Sequence, residues 1–190
     1  SGGHAAIPDL TIDPIPCGAA IVQSLQSIVS RRITALEPAV VSVTIFDAGS
    51  ALNVIPGAAR LGGTARSFSP EIRKLLEESI RDITQSTAKA FDCGVKIDWQ
   101  PGYPPTVNHA DESSRAVFVA SDVLGAENVI TDLPPSMGAE DFAFMLGEKP
   151  GSYIWLGAGP AKEGAMLHND RYDFNDDVLA TGASYWARLV

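Results

Sequence analysis

The chain holds three histidines, His4, His109 and His168, and their settings differ. His4 stands in Ser1-Gly2-Gly3-His4-Ala5-Ala6, where two glycines free the backbone and small residues crowd the ring. Such a loop can present an imidazole to a ligand, or it can be a tight turn after a strand. His109 follows Asn108 at a helix start, which suits a solvated or capping role. His168 ends a glycine-containing loop after an apolar run, and in open α/β sheets ligands sit beyond the carboxyl ends of strands. One histidine is not a metal site, because a catalytic metal takes about three protein ligands. Glu140 and Asp141, in Met137-Gly138-Ala139-Glu140-Asp141-Phe142, open a short helix. Acids in a first turn complement the helix dipole, or one of them lines a site. Asp173, Asp176 and Asp177 have the same two explanations. Asn53, between two strands, and Arg66, near the end of the second, could hold a substrate carboxylate between an amide and a guanidinium. Their plainer reading is a turn residue and a surface charge.

Other chemistries leave no trace. There is no HExxH, no GxSxG, no P-loop and no GxGxxG after a strand. Gly157-Ala158-Gly159 runs into Pro160 where a phosphate-binding helix would have to begin. Cys17 and Cys93 are the two cysteines, too few for a disulfide scaffold and in no CxxC pair. Both read as small buried hydrophobes in a reducing, cytoplasmic compartment.

The elements that must position these residues follow from spacing. Asp13 and Pro14 start a helix over 13–33, with Ile21, Val22, Leu25, Ile28, Val29 and Ile33 on one face. Val40–Phe46 is β-branched and alternating, a strand. Ala58–Phe68 is a second strand, loosened by Gly62 and Gly63. Ser69-Pro70-Glu71 begins a second helix, with Ile72, Leu75, Leu76, Ile80, Ile83 and Thr87 inward and Gly94 as its closing residue. Val95–Gln100 is a third strand. One further strand before Ser1 would complete β-α-β-β-α-β, the split arrangement of a ferredoxin-like sandwich. The chain opens Ser-Gly-Gly-His without an initiator Met and reads as cut from something longer. Tyr103–Asn108, with two prolines, is a stiff connection that places a boundary near residue 105. Beyond it the texture is α/β: helix Ala110–Leu124, strand Asn128–Leu133, helix Gly138–Leu146 and strand Tyr153–Ala158. A loop of about 15 residues then carries Leu167-His168-Asn169. A last helix starts near Asn175 or Asp176 and buries Val178, Leu179, Ala183, Trp186 and Leu189.

At 190 residues and 45% hydrophobic, the chain can build a core in one domain or two small ones. A net charge of −9 argues against nucleic acid, which needs clustered Lys and Arg. No apolar run approaches the ~18–20 residues of a membrane span.

Four runs together resemble a known family. SGGHAAIPDLTIDPI, ALNVIPGAARLGGTAR, MGAEDFAFML and LHNDRYDFNDDVLATGA are similar, in that order, to the amidohydrolase branch of the two-metal metallopeptidases. That branch includes aminoacylases, hippurate hydrolases, N-acetyl-diaminopimelate deacetylases and hydrolases of indole-acetic acid conjugates. The resemblance implies a mixed α/β (α+β) fold of two parts. Residues 1–105 would be a ferredoxin-like lid or dimerisation domain lacking its first strand. Residues 106–190 would be the C-terminal portion of a zinc-peptidase-like α/β catalytic domain. It further implies hydrolysis of an N-acyl amino acid or small peptide amide by a water activated on two divalent metals, zinc or manganese, with a glutamate as general base. His4 would stabilise the oxyanion, usually in the partner subunit's site. Asn53 and Arg66 would bind substrate, Glu140 would lie near the site as a catalytic residue, and His168 would be a metal ligand. The implied partners are a small-molecule substrate and a second copy joined through the lid, with no nucleic acid and no membrane. The general base and the other metal ligands belong to an N-terminal half outside this sequence. The chain alone is therefore expected to be inactive and to hold no metal stably. A different class of reading makes it a non-catalytic dimerisation module with an unpaired sheet edge.

Overall fold

The computed structural model describes residues 1–160 and 164–190. It falls into two compact units, Ser1–Pro105 and Thr106–Val190, built from α and β elements.

In the first unit, β1 (Gly3–His4) leads through a 3-10 turn at Pro8–Leu10 to α1 (Pro14–Ser27). Asp13 caps α1, its Oδ1 accepting from the Ile15 N–H at 2.9 Å. Pro14 takes the first helical position, where no N–H is needed. The α-helix stops short of the predicted residue 33, because Ile28–Arg32 widen into a π turn that buries Ile28 and leaves Val29 exposed. Next come β2 (Ala39–Ala48), β3 (Val54–Ile55), β4 (Ala59–Ser67) and α2 (Pro70–Ala90). Ser69 Oγ accepts from the Ile72 N–H at 3.3 Å and donates to Glu71 Oε2 at 2.6 Å, a cap, proline and acid in the predicted order. The buried face of α2 is Leu76, Ser79, Thr84 and Ala88, with Ile72, Ile80 and Ile83 partly buried beside it. Asp92, at φ +54, closes the helix in place of the expected Gly94; Asp tolerates the left-handed region better than most residues.

Antiparallel pairing joins β2 to β4 and β1 to β3. Val41, Val43, Leu61 and Ala65 pack from the β2–β4 pair onto a core of Cys17, Ile21, Leu25, Ile28, Leu76 and Ala88. Thr44 has no opposite number, since the register steps from Val43↔Gly63 to Ile45↔Gly62. This bulge brings β2 so close that a Cβ on Gly63 would lie 2.2 Å from the Ser42 carbonyl oxygen. Beyond it, Phe46 faces Leu61 and rests its ring on Gly18 of α1. The predicted third strand, Val95–Gln100, pairs with no strand among the described residues. A strand is defined by its neighbour's hydrogen bonds. Here a cleft of about 700 Å³, lined by β4, both helices and residues 92–99, lies where such a neighbour would be. The alternation survives without a ladder, with Ile97 and Trp99 half-buried and Lys96, Asp98 and Gln100 exposed.

The second unit holds α3 (Ala110–Leu124), α4 (Phe142–Glu148) and α5 (Leu179–Leu189), with 3-10 turns at Ala126–Asn128 and Asp176–Val178. α3 has the predicted bounds. α4 begins four residues later than predicted. The two predicted strands, Asn128–Leu133 and Tyr153–Ala158, have no ladder among the described residues. A side chain satisfies the Tyr153 backbone instead: its N–H donates to Asn108 Oδ1 at 2.8 Å, and its carbonyl accepts from Asn108 Nδ2 at 2.8 Å. Asn175 starts the last helix, its Oδ1 accepting from the Asp177 N–H at 3.1 Å. That helix turns Tyr185 inward, whereas Leu179, Ala183 and Trp186, predicted inside, are exposed. The face 178, 182, 185, 189 is the one that packs, and α5 is tied to α3 by the Asp122–Arg188 ion pair and by Arg115 Nη2 to the Leu189 carbonyl at 3.2 Å. The predicted loop after Ala158 includes residues 161–163, which lie outside the described residues.

Candidate functional site

His4 owes its position to the short β1–β3 ladder. Gly3 faces Ile55 and His4 faces Val54, and the Ala5 N–H donates to the Asn53 carbonyl at 3.0 Å. Gly2 is required here, because a Cβ on it would meet the Ile55 carbonyl oxygen at 2.4 Å, whereas one on Gly3 would meet only the Thr11 methyl, at 2.7 Å. The ring is oriented by its own turn: the Ala6 N–H donates to His4 Nδ1 at 3.1 Å. With Nδ1 accepting, the neutral imidazole carries its hydrogen on Nε2, and the exposed side chain offers that N–H to solvent. His4 and Asn53 are thus neighbours across a ladder. Both readings of the His4 loop meet in one place, since it is a tight turn and its ring is presented outward.

Arg66 lies elsewhere. It pairs with Val40 at the far end of the β2–β4 ladder, whereas Asn53 sits in the connection at the Ala48↔Ala59 end. The seven steps along the strand from Ala59 to Arg66 span roughly 23 Å. The Arg66 guanidinium is exposed and donates to the Ala65 carbonyl at 2.9 Å. Within one chain, the amide and the guanidinium do not meet at one spot.

In the second unit, Glu140 precedes α4 and is half-buried. Burial, then Glu140 and Asp141, push the Tyr153 hydroxyl above its ordinary value of 10.0. No feature of the sequence pointed to this pair, because the Tyr153 run reads only as an apolar strand. His168 adopts φ +71, the left-handed region that few non-glycine residues enter and that clusters at functional positions. The turn that holds it is closed by Asn169 N–H to the Met166 carbonyl at 3.0 Å and Arg171 N–H to Asn169 Oδ1 at 2.9 Å. His109 takes the N-cap position of α3, as its place at a helix start suggested, but makes no side-chain cap bond. Its half-buried ring instead accepts from the Gly151 N–H through Nδ1 at 3.2 Å, stapling two loops. Among the described residues no three His, Cys, Asp or Glu side chains gather as a metal centre requires. His168 by itself does not complete such a centre.

Residues 8–190 match Peptidase family M20/M25/M40, and the chain belongs to that family. Hippurate hydrolase of Campylobacter jejuni is 38% identical over 189 residues, covering 100% of this chain and 49% of the relative. N-acetylcysteine deacetylase of Bacillus subtilis is 35% identical over 189 residues, covering 100% and 48%. The crystal structure of the Bacillus subtilis YXEP protein, a dinuclear metal binding peptidase of the M20 family, superposes with a TM-score of 0.70 at 29% identity, covering 94% of this chain and 45% of that one. The chain spans about half the length of the curated relatives it matches.

Proposed function

We propose that this chain is part of a metal-dependent amidohydrolase that cleaves the amide bond of N-acyl amino acids or small peptides in the cytoplasm. The observation that carries the reading is the His4 ring, presented outward with its hydrogen fixed on Nε2, a donor suited to an oxyanion. In this reading His4 Nε2–H donates to the oxygen that gains charge as the amide carbonyl is attacked, with Asn53 beside it across the β1–β3 ladder. Arg66, about a strand's length away, binds a substrate carboxylate in a different site of the assembly. This separation supports a homodimer in which the lid's two ends serve two sites. Glu140, beside Tyr153, takes a catalytic role in the second unit. His168 would supply one ligand to a centre of two divalent metals, zinc or manganese, whose other ligands would come from the rest of the polypeptide.

The first unit then serves as a ferredoxin-like lid. Continued past Ser1, the antiparallel register of β1 on β3 (Gly3↔Ile55) runs into the cleft along the open edge of β4. One more strand there would lie between β4 and Val95–Gln100. A second reading, a non-catalytic association module, is favoured by the other open edge, that of β2.

The test uses the longer polypeptide and an N-acetyl amino acid. His4→Ala is expected to lower kcat about 10²–10³-fold with KM little changed, the loss seen when one oxyanion donor is removed. Undiminished turnover overturns the role of His4. The 190-residue chain alone is expected to show no turnover and no stoichiometric zinc or manganese; finding both removes the partial-site reading. Light scattering that shows a strict monomer counts against dimerisation through the lid.

A further inference from the structure

Cys17 and Cys93 stand 76 residues apart in the sequence, and the fold sets them side by side. Cys17, at the end of the first turn of α1, is buried; Cys93, three residues past the end of α2, is half-buried. Backbone geometry fixes Cys93. The left-handed Asp92 turns the chain back, and the Cys93 N–H reaches the Ala88 carbonyl at 2.9 Å. The turn packs Cys93 against the core cluster that contains Cys17. Both side chains line the cleft beside β4, and Cys93 is close enough to act on the Cys17 thiol. Packing alone would account for one buried thiol. Two neighbouring thiols on one core, one buried and the other half-buried, provide an oxidisable sulfur and a second to resolve it.

We infer that Cys17 and Cys93 form a reversible intramolecular disulfide when the chain meets a hydroperoxide. In the first step the Cys93 sulfur attacks the peroxide. An S–O bond forms, the O–O bond breaks, and the leaving oxygen departs as water or an alcohol with the thiol's proton. In the second step the Cys17 sulfur attacks the Cys93 sulfenic acid. The S–S bond forms, the S–O bond breaks, and the hydroxyl leaves as water with the proton of Cys17. Two thiols lose two electrons in total and the peroxide gains them. Burial and the adjacent Cys93 push the Cys17 thiol up to about 11. Cys17 therefore stays protonated, and Cys93 is the sulfur that meets the oxidant. The bond joins the start of α1 to the end of α2 and pins the run that forms one wall of the cleft. It depends neither on the hydrolase reading nor on any residue of the candidate site.

The experiment treats the reduced chain with hydrogen peroxide and counts thiols after denaturation. Both thiols should be lost, with a mass lower by two hydrogens and a linked Cys17–Cys93 peptide on digestion. The product should remain a single chain on a non-reducing gel, with a thermal midpoint that rises and returns on adding dithiothreitol. In urea the bond should form about tenfold more slowly, because an unfolded loop of this length seldom brings its ends together. Cys17→Ser should leave a Cys93 sulfenic acid that dimedone captures. If that variant does not fold, Cys93→Ser answers the same question, with its remaining Cys17 thiol staying unoxidised. Equal rates in buffer and urea, a sulfinic acid on Cys93 beside an intact Cys17 thiol, a disulfide between chains, or two unreacted thiols would each overturn the proposal.

Discussion

The two units solve the problem of burying apolar side chains differently. In Ser1–Pro105, two helices and a β-ladder close on one another, and Ile28 and Leu76 reach 0% and 1% exposure. In Thr106–Val190 the deepest side chains are mostly small, Ala116, Ala143 and Ala165 among them, while Phe118, Trp155 and Trp186 stand 75%, 67% and 60% exposed. The first unit therefore encloses large side chains more fully than the second does. The candidate residues divide the same way. His4 and Asn53 are fixed by a backbone ladder, and His168 by a short turn with one side-chain bond.

The sharpest way to break this comparison is to cut each core in turn. Leu76→Ala should cost about 3–4 kcal/mol, the range for a well-enclosed leucine. Leu146→Ala, in the short α4, should cost about half that, since its surroundings can collapse. Urea midpoints measure both, and equal losses would erase the contrast. Next in size, Gly63→Val should cost about 2–3 kcal/mol by forcing β2 away at the bulge; a cost near zero would mean the ladder yields there. Smaller still, Ser69→Ala should remove about 1 kcal/mol as a lost cap. The same substitution should reach Glu71. The Ser69 hydroxyl, then Glu71's own backbone N–H, hold that carboxyl below its ordinary value of 4.5. Its contribution is present above pH 4.5 and lost as pH falls through the lowered value. An NMR titration of Glu71 should move upward in the variant, and an unmoved midpoint would remove the hydroxyl as the cause. The smallest effect belongs to the second unit. The Tyr153 hydroxyl, raised above 10.0, adds stability below pH 10 that fades as pH rises through the folded value. Glu140→Gln should bring its ultraviolet titration back toward 10, and no change would break the Tyr153–Glu140 link.

Local chemistry was legible in the sequence. Asp13, Ser69 and Asn175 cap the helices they were expected to cap, because a cap needs only its own turn. The family was legible too, through four short runs in order. What depended on distant partners was not. Val95–Gln100 and Tyr153–Ala158 have the composition of strands, yet a strand exists only through a neighbour. Asn108 supplies the Tyr153 backbone with a side chain in place of a strand. The face of α5 was misread because Leu179 and Trp186 are its most apolar residues, while contact with α3 selects Tyr185. At the candidate site, the His4 loop was visible as a glycine-rich turn. The Ala6 N–H that fixes its tautomer was not, since two conformations of the same six residues would leave that nitrogen free or occupied.

The unpaired Thr44 has a consequence for how this strand can change in length. Ahead of it, odd-numbered residues of β2, Val41 and Val43, point to the helices; after it, the even-numbered Phe46 does. The strand is written in two phases, and Thr44 is the spacer between them. Removing Thr44 or Ile45 would merge the phases into one regular alternation with Val41, Val43 and Phe46 still inward. Removing Ser42 or Val43 would turn part of its core side to water. Length variation in β2 is therefore confined to the bulge, and a chain of this family one residue shorter here should have lost its bulge and freed position 63 from glycine.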